Sequence, residues 1–111
     1  MKYKIAIIGY GYWGPKLARN FLNSAKFDIS FVIDKNERNL IKAKNDFPLS
    51  RTINNYRKIN PKNIDLVVIS SPTSTHYNIA KYFAIGDFRN ISNDVKSDSY
   101  KIQFKEKNGL F

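Results

Sequence analysis

Cysteine is absent from this chain of 111 residues. Its absence excludes disulfides, thiolate catalysis and metal sites with cysteine ligands, and we predict no metal site. Long apolar stretches are missing near the N-terminus, because the run Ile5–Ile8 stops after four residues at Gly9. Such a run is too short for the apolar part of a signal peptide or for a membrane span. We therefore expect a cytoplasmic protein with no membrane partner.

Acidic residues are scarce, since nine of them stand against 19 basic residues and the net charge is +10. A surplus of this kind can indicate a nucleic-acid partner, because lysine and arginine neutralise phosphates. The lysines are scattered from Lys2 to Lys107, however, without a basic run or an alternation of basic and aromatic residues. The pattern favours a basic surface in solvent and no nucleic-acid partner, with an anionic substrate or partner as the alternative.

Glycine occurs five times, and three of these residues form one motif near the N-terminus. The run Ile5–Ile8 has the pattern of a strand buried on both faces of a parallel sheet. Gly9, Gly11 and Gly14 follow it as G-x-G-x-x-G, and Pro15 suits the first turn of a helix. The glycines would permit a sharp turn, a close approach of backbone to a pyrophosphate, and tight helix packing. The motif predicts a dinucleotide at the helix N-terminus, with a simple glycine-rich loop as the alternative.

Helical and strand patterns alternate along the rest of the chain. The predicted helices cover residues 14–24 and 37–46, and the further predicted strands cover 29–34, 50–53 and 64–70. The side chains expected to face the sheet from the helices include Leu17, Ala18, Phe21, Leu22, Ala25, Leu40, Ile41 and Ala43. This alternation predicts an α/β fold, a Rossmann-like doubly wound parallel sheet with the strand order 3-2-1-4.

Asp34 closes the second predicted strand, about 20 residues after the glycine motif. At that position a carboxylate can accept hydrogen bonds from both ribose hydroxyls of an adenosine. The alternative is a role as N-cap of the helix that starts near Asn36. Because an acid repels a 2′-phosphate, we expect NAD rather than NADP, although Lys35 and Arg38 could soften this preference.

A polar loop, Ser70–His76, follows the strand at which the sheet order reverses. In doubly wound sheets the ligand binds in the crevice at that point. The hydroxyl and backbone N–H groups of the loop, which Pro72 shapes, could contact a ribose or an amide. Helix capping by Ser74 or Thr75 explains two of these residues without a ligand. For His76 we favour a structural role over proton transfer, because no acid or nucleophile lies near it in sequence.

These segments resemble one protein family. Ile-Ile-Gly-Tyr-Gly-Tyr-Trp-Gly-Pro15, Asp34 and Ile64-Asp-Leu-Val-Val-Ile-Ser-Ser-Pro-Thr-Ser-Thr-His76 resemble the N-terminal domain of the Gfo/Idh/MocA oxidoreductases, over about residues 1–84. The Gly-Tyr-Trp-Gly motif is most similar to the bacterial nucleotide-sugar branch, which includes UDP-N-acetylglucosaminuronate 3-dehydrogenases of polysaccharide biosynthesis. The resemblance implies an NAD site with the candidate residues Gly9, Tyr10, Gly11, Tyr12, Trp13, Gly14, Asp34, Lys35, Ser70, Ser71, Pro72, Thr73 and His76. Trp13 would either cover the cofactor or simply pack.

The chain departs from this family after residue 84. Members of the family have a strand that ends in Glu-Lys-Pro, whose lysine assists proton movement beside the sugar. Here the segment is shorter and Arg89-Asn90 fall at that place. Arginine can hold an anion but cannot readily give up its proton. We therefore assign no catalytic residue, and we predict a diverged segment over 85–111 with a shortened fifth strand and a helix over 96–107.

The family also has a second, α+β domain that holds the substrate, and this chain of 111 residues is too short to include one. The expectation is therefore a single, truncated dinucleotide-binding domain over residues 1–111, with little or no catalysis alone. A sheet edge left open by the shortened segment would favour a homo-oligomer.

Three functions follow from these observations. The leading one is the NAD-binding domain of an oxidoreductase that resembles nucleotide-sugar 3-dehydrogenases. The alternative is a free-standing NAD-binding regulatory or partner subunit without enzymatic activity. A methyltransferase, whose sheet also uses a glycine turn and an acid at a strand end, is disfavoured by the segment Ser70–His76.

Overall fold

The computed structural model describes residues 2–84, 88–90 and 101–105 of the chain. Within these residues the chain forms six strands and three α-helices, joined in part by short 3-10 turns. The strands are β1 Tyr3–Ile8, β2 Phe27–Ile33, β3 Arg51–Ile53, β4 Leu66–Ile69, β5 Phe88–Asn90 and β6 Lys101–Lys105. The helices are α1 Trp13–Leu22, α2 Glu37–Asp46 and α3 His76–Ala84.

The strands form one sheet in the order β3-β2-β1-β4-β6-β5. The first four are parallel, as the alternation of helices and strands predicted, and the order 3-2-1-4 is confirmed. One residue, Ser30, has no partner in the pairing of β1 with β2, where Ile5 pairs with Ile29 and Ala6 with Phe31. This irregularity lies in the middle of β1, and the pairing is regular from Ala6 to Ile8, so the carboxyl ends of β1 and β2 still lie side by side.

Both faces of the parallel sheet are buried, which explains the continuous apolar runs. On one face Ile5, Ile7, Leu66 and Val68 pack in a cluster with residues of α1 and α2. On the other face Ala6, Ile8, Val67 and Ile69 pack in a cluster that includes residues of α3. Successive side chains of a strand point to opposite faces, so a doubly covered strand is apolar throughout. Three apolar side chains that were expected to face inward, Leu22, Ala25 and Ile41, are instead exposed.

After residue 84 the structure differs from the prediction. The helix predicted over 96–107 is wrong at Lys101–Lys105, which form β6, antiparallel to β4. Polar and apolar residues alternate there, the period of a strand rather than of a helix. The segment Phe88–Asn90 does form a short strand, but it pairs with β6 and not with β4. The other residues of that predicted helix, 96–100 and 106–107, lie outside the described residues.

The pairing of β6 with β4 also bears on the expected homo-oligomer. The edge of β4 that a shortened fifth strand would leave open is covered by β6. Self-association through that edge is therefore not favoured by the sheet, and the oligomer stays a prediction. No helix in the described part of the chain is both long and apolar enough to span a membrane.

Candidate functional site

The loop between β1 and α1 needs glycine at two positions and leaves a third open. Gly9 has a φ of +97°, and a Cβ there would lie 2.6 Å from the backbone nitrogen of Ser71. At Gly14 a Cβ would lie 2.1 Å from the carbonyl oxygen of Gly9. At Gly11, in contrast, a Cβ would meet none of the described atoms within 4 Å. Gly9 and Gly14 thus let the loop close against β4 and α1, while the backbone at Gly11 borders open space.

Helix α1 starts at this loop without a side-chain cap. Tyr12 occupies the N-cap position, and its side chain makes no capping hydrogen bond. Helix α2 begins differently, because the side chain of Asn36 accepts a hydrogen bond from the backbone N–H of Arg38. The N-terminal turn of a helix carries N–H donors and the positive end of the helix dipole, so it favours an anion. A phosphate at the start of α1 would supply the acceptor that Tyr12 does not.

Asp34 lies at the carboxyl end of β2 and holds the neighbouring loops together. Its Oδ2 accepts a hydrogen bond from the backbone N–H of Tyr10 at 2.8 Å and one from Nδ2 of Asn39 at 3.0 Å. Its Oδ1 accepts one from the backbone N–H of Asn36 at 2.8 Å. The N-cap of α2 is Asn36, so the alternative role considered for Asp34 is not the one found. The carboxylate joins the glycine loop to the turn between β2 and α2.

The loop after β4 is held by its own hydroxyl groups. The hydroxyl of Ser70 donates to the carbonyl of Gly9, which fastens this loop to the glycine loop. Thr75 donates its hydroxyl to the carbonyl of Pro72 at 2.6 Å. Because that proton is committed, the 2.6 Å contact between Ser71 Oγ and Thr75 Oγ1 has Ser71 as the donor. These contacts shape the loop without using any ligand.

These loops enclose one side of a cleft with a volume of about 930 Å³ along the carboxyl ends of the parallel strands. The predicted site residues that line it are Gly9, Gly11, Tyr12, Trp13, Asp34, Lys35, Ser70, Ser71 and Pro72. The structure therefore brings together the glycine motif, the acid of β2 and the β4 loop. The side chain of Thr73 lies outside what the structure describes.

Three predicted site residues do not line the cleft. Gly14 packs against Gly9, as described above. Tyr10 is only 1% exposed, and its hydroxyl donates to Oδ2 of Asp46 at 2.6 Å. Burial, and then the hydrogen bond and charge of Asp46, raise the pKa of this phenol above its ordinary value. Tyr10 thus contributes its backbone to the site, while its side chain serves the core.

His76 is also turned away, because it is buried and its Nε2 lies 2.8 Å from the carbonyl oxygen of Ser71. A carbonyl only accepts, so Nε2 carries the proton and donates to the loop. This is the structural role that the sequence favoured. The contact ties the first residue of α3 to the start of the loop after β4.

The sequence did not single out several residues that line the cleft: Asn36, Asn39, Asn54, Asn55, Tyr56, Arg57, Asn78 and Ile79. They follow the carboxyl ends of β2 and β3 or lie in α3 behind the β4 loop. Ligands bind at this edge of an open α/β sheet, so polar residues after every parallel strand are candidates. Applying that rule to β3 as well as to β2 and β4 would have found most of them.

Tyr12 and Lys16 form an exposed pair at the rim of the cleft, one helical turn apart. Lys16 Nζ lies 3.8 Å from the centroid of the Tyr12 ring and 5.2 Å from that of Trp13. A hydrogen bond from Lys16 and its charge lower the pKa of the Tyr12 phenol. Trp13 meets Tyr12 edge to face, with the ring centroids 5.2 Å apart. The pair adds positive charge beside the uncapped start of α1.

The residues present fit a dinucleotide. The cleft has the size of a ligand site, for which roughly 300–1,000 Å³ is typical. Its middle offers the open backbone of Gly11 and the start of α1 to a phosphate, and one side offers the carboxylate of Asp34 to a ribose. A single substitution would remove each of these three features: a residue with a side chain in place of Gly11, a capping residue in place of Tyr12, or an apolar residue in place of Asp34.

Comparison with known proteins agrees with this geometry. Residues 3–85 match the family model GFO_IDH_MocA, described as an oxidoreductase family with an NAD-binding Rossmann fold. No curated protein sequence matches the chain.

Several solved structures share the fold. An oxidoreductase from Agrobacterium radiobacter, in complex with NAD+, L-tartaric acid and magnesium, superposes with a TM-score of 0.70 at 17% identity, over 77% of this chain and 25% of the other. Myo-inositol 2-dehydrogenase from Lactobacillus plantarum gives a TM-score of 0.65 at 28% identity, over 74% and 25%. Scyllo-inositol dehydrogenase from Lactobacillus casei, with bound NAD(H) and scyllo-inositol, gives 0.62 at 20% identity, over 77% and 26%. The chain spans about a quarter of the length of each.

Proposed function

The chain belongs to the Gfo/Idh/MocA oxidoreductase family, in the part with the NAD-binding Rossmann fold, and from this premise we propose that its cleft holds NAD for the oxidation of a ring secondary alcohol. The observation that carries the proposal is the arrangement of Gly11 and Asp34 along one cleft. The spacing between an open backbone and a carboxylate one strand away suits a pyrophosphate joined to a ribose.

Each part of the dinucleotide has a partner in the described residues. The backbone at Gly11 and the first turn of α1 would hold the pyrophosphate. Asp34 would accept a hydrogen bond from the adenosine ribose, and its charge would disfavour the 2′-phosphate of NADP. The loop after β4, held by Ser70 and His76, would face the nicotinamide half. When bound, NAD supplies the acceptor for a hydride, and the protein supplies its position and surroundings.

The substrate class is the finer part of the proposal. The Gly-Tyr-Trp-Gly segment resembles nucleotide-sugar dehydrogenases, and one similar structure is a myo-inositol dehydrogenase. A pyranose and an inositol both present a secondary alcohol on a six-membered ring. We take a nucleotide sugar as the substrate of choice, because the basic net charge of the chain complements a diphosphate.

We expect the chain to bind the cofactor without turning over substrate by itself. His76 is committed to the carbonyl of Ser71. In the sequence, Arg89 falls where the related enzymes carry a lysine, and a guanidinium does not exchange its proton readily near neutral pH. These two observations also favour a second candidate, a NAD-binding subunit that has no enzymatic activity.

Calorimetric titration with NADH, NADPH and S-adenosylmethionine tests the proposal. NADH should bind and S-adenosylmethionine should not. Asp34→Asn should weaken NADH binding about tenfold or more, because a hydrogen bond to a charged acceptor is lost. Asp28→Asn is the matched control, since Asp28 is an exposed acid at the other end of β2 and should leave binding unchanged.

Two outcomes would contradict parts of the proposal. Binding of S-adenosylmethionine in place of NADH would indicate a methyltransferase. Steady formation of NADH from NAD and a UDP-sugar would show that this chain is a complete catalyst and would exclude the non-enzymatic alternative.

A further inference from the structure

The carboxylate of Asp34 has little capacity left for a ribose. A carboxylate has about four acceptor positions, two on each oxygen. Oδ2 accepts from Tyr10 and Asn39, so both of its positions are used. Oδ1 accepts from the backbone of Asn36 and keeps one position. The adenosine ribose has two neighbouring hydroxyls to donate, and Asp34 can take only one of them while these contacts stand.

The two backbone contacts of Asp34 are the rigid ones. Tyr10 is fixed because its ring is buried and its hydroxyl is bound to Asp46. Asn36 is fixed because its own side chain caps α2. The third donor, Asn39, lies in the first turn of α2 and lines the cleft. Asn36 lines the cleft too, but it donates to Asp34 through its backbone, so Asn39 is the donor whose side chain a ribose would meet.

The orientation of the Asn39 amide follows from its partner. A carboxylate only accepts, so the amide group that points to Asp34 must be the NH2 group. The amide oxygen of Asn39 then points away from Asp34. Because Asn39 and Asp34 both line the cleft, this oxygen is a second acceptor in the same part of its wall. The two acceptors together match a pair of vicinal hydroxyls.

We infer that Asn39 is a ribose-binding residue, and that the adenosine ribose is held by Asp34 through one hydroxyl and by the amide oxygen of Asn39 through the other. This inference rests on the proposed function, because it names how the same cleft binds the adenosine of NAD. It adds a residue outside the glycine motif and assigns the selectivity for a free 2′,3′-diol to two side chains instead of one.

The test uses calorimetry with ADP, 2′-deoxy-ADP and 3′-deoxy-ADP on the full chain. The variant is Asn39→Leu, because leucine has nearly the shape of asparagine but neither donates nor accepts. A leucine also fills the space, so the ribose cannot shift to the position freed on Oδ2. Asn45→Leu is the matched control, since Asn45 is an exposed residue near the other end of the same helix. Thermal unfolding verifies that each variant is folded.

In the wild type, removal of either hydroxyl should weaken binding, by about three- to tenfold for a single hydrogen bond. In Asn39→Leu, ADP should bind more weakly by a similar factor, and removal of one of the two hydroxyls should have no further effect. The Asn45→Leu variant should show the wild-type response to both deoxynucleotides.

The outcomes separate the inference from the proposal on which it rests. If ADP binds but both deoxy effects persist in full in Asn39→Leu, the side chain holds no hydroxyl and the inference is overturned. If ADP binds more tightly to Asn39→Leu, Asn39 competes with the ribose and the inference is again overturned. If neither ADP nor NADH binds the wild type, the proposed function itself fails, and the inference fails with it.

Discussion

Replacement of Gly14 by alanine should damage both the stability of the domain and its cofactor loop. The added Cβ would lie 2.1 Å from the carbonyl oxygen of Gly9 and 3.0 Å from its carbonyl carbon. An ordinary contact begins near 3.4 Å, so α1 and the loop would have to separate by about 1.3 Å. The carbonyl of Gly9 also accepts the hydroxyl of Ser70, and the shift would therefore reach the loop after β4.

The loss of stability expected for Gly14→Ala is the difference between two opposing effects. Forcing extra volume into a packed site costs about 1–3 kcal/mol. Alanine in a helix, with less freedom in the unfolded chain than glycine, returns about 0.5–1 kcal/mol. We expect a net loss of about 1–2 kcal/mol, which for a domain of this size lowers the melting temperature by roughly 4–12 °C.

The assay compares Gly14→Ala with Gly11→Ala by thermal unfolding and by NADH titration. Gly11 is the control, because a Cβ there meets no described atom within 4 Å. Gly11→Ala should keep the wild-type melting temperature or raise it slightly, yet it should weaken NADH binding because the methyl group occupies the approach of the pyrophosphate. Gly14→Ala should lower both the melting temperature and the affinity for NADH.

Two results would refute this reasoning. If Gly14→Ala melts at the wild-type temperature, then the contact with Gly9 does not limit the packing of α1. If Gly11→Ala binds NADH as tightly as the wild type, the open space at Gly11 is not where the pyrophosphate lies.

Two further predictions concern side chains that were turned away from the cleft. The pKa of the buried Tyr10 phenol is raised above 10.0, its value when exposed, so its contribution to stability is complete below about pH 10 and is lost as the pH rises further. Urea unfolding should therefore show that the free energy of unfolding falls more between pH 8 and pH 11 for the wild type than for Tyr10→Phe. An equal fall in both proteins would contradict the role of the phenol. For His76, glutamine can place an N–H near the position of Nε2, so His76→Gln should retain NADH affinity and stability, whereas His76→Ala should lose about 1 kcal/mol of stability and bind NADH more weakly. A glutamine variant as impaired as the alanine variant would show that the hydrogen bond to Ser71 is not what His76 provides.

The sequence by itself determined the parallel half of the fold. The runs Ile5–Ile8 and Leu66–Ile69 are apolar at every position, and only a strand covered on both faces needs that pattern. The bounds predicted for α2 are those observed, because Asn36 and Phe47-Pro48 mark its ends. The functions of Gly9 and Gly14 followed from their spacing, because a turn and a close approach leave no room for a side chain.

Only the tertiary structure decided which side chains point into the cleft and how the sheet continues beyond β4. Tyr10 lies between two glycines of the motif, yet its ring is in the core, where it packs against Phe47 and donates a hydrogen bond to Asp46. Asn39 and Asn78 join the site only because parallel strands bring their carboxyl ends to one edge. The alternation at Lys101–Lys105 is local, but whether those residues form a helix or a strand depended on the open edge of β4, which a strand can pair with and a helix cannot. A local pattern is enough to specify an element whose hydrogen bonds and burial come from nearby residues. Where they must come from a distant part of the chain, the tertiary structure decides which element forms.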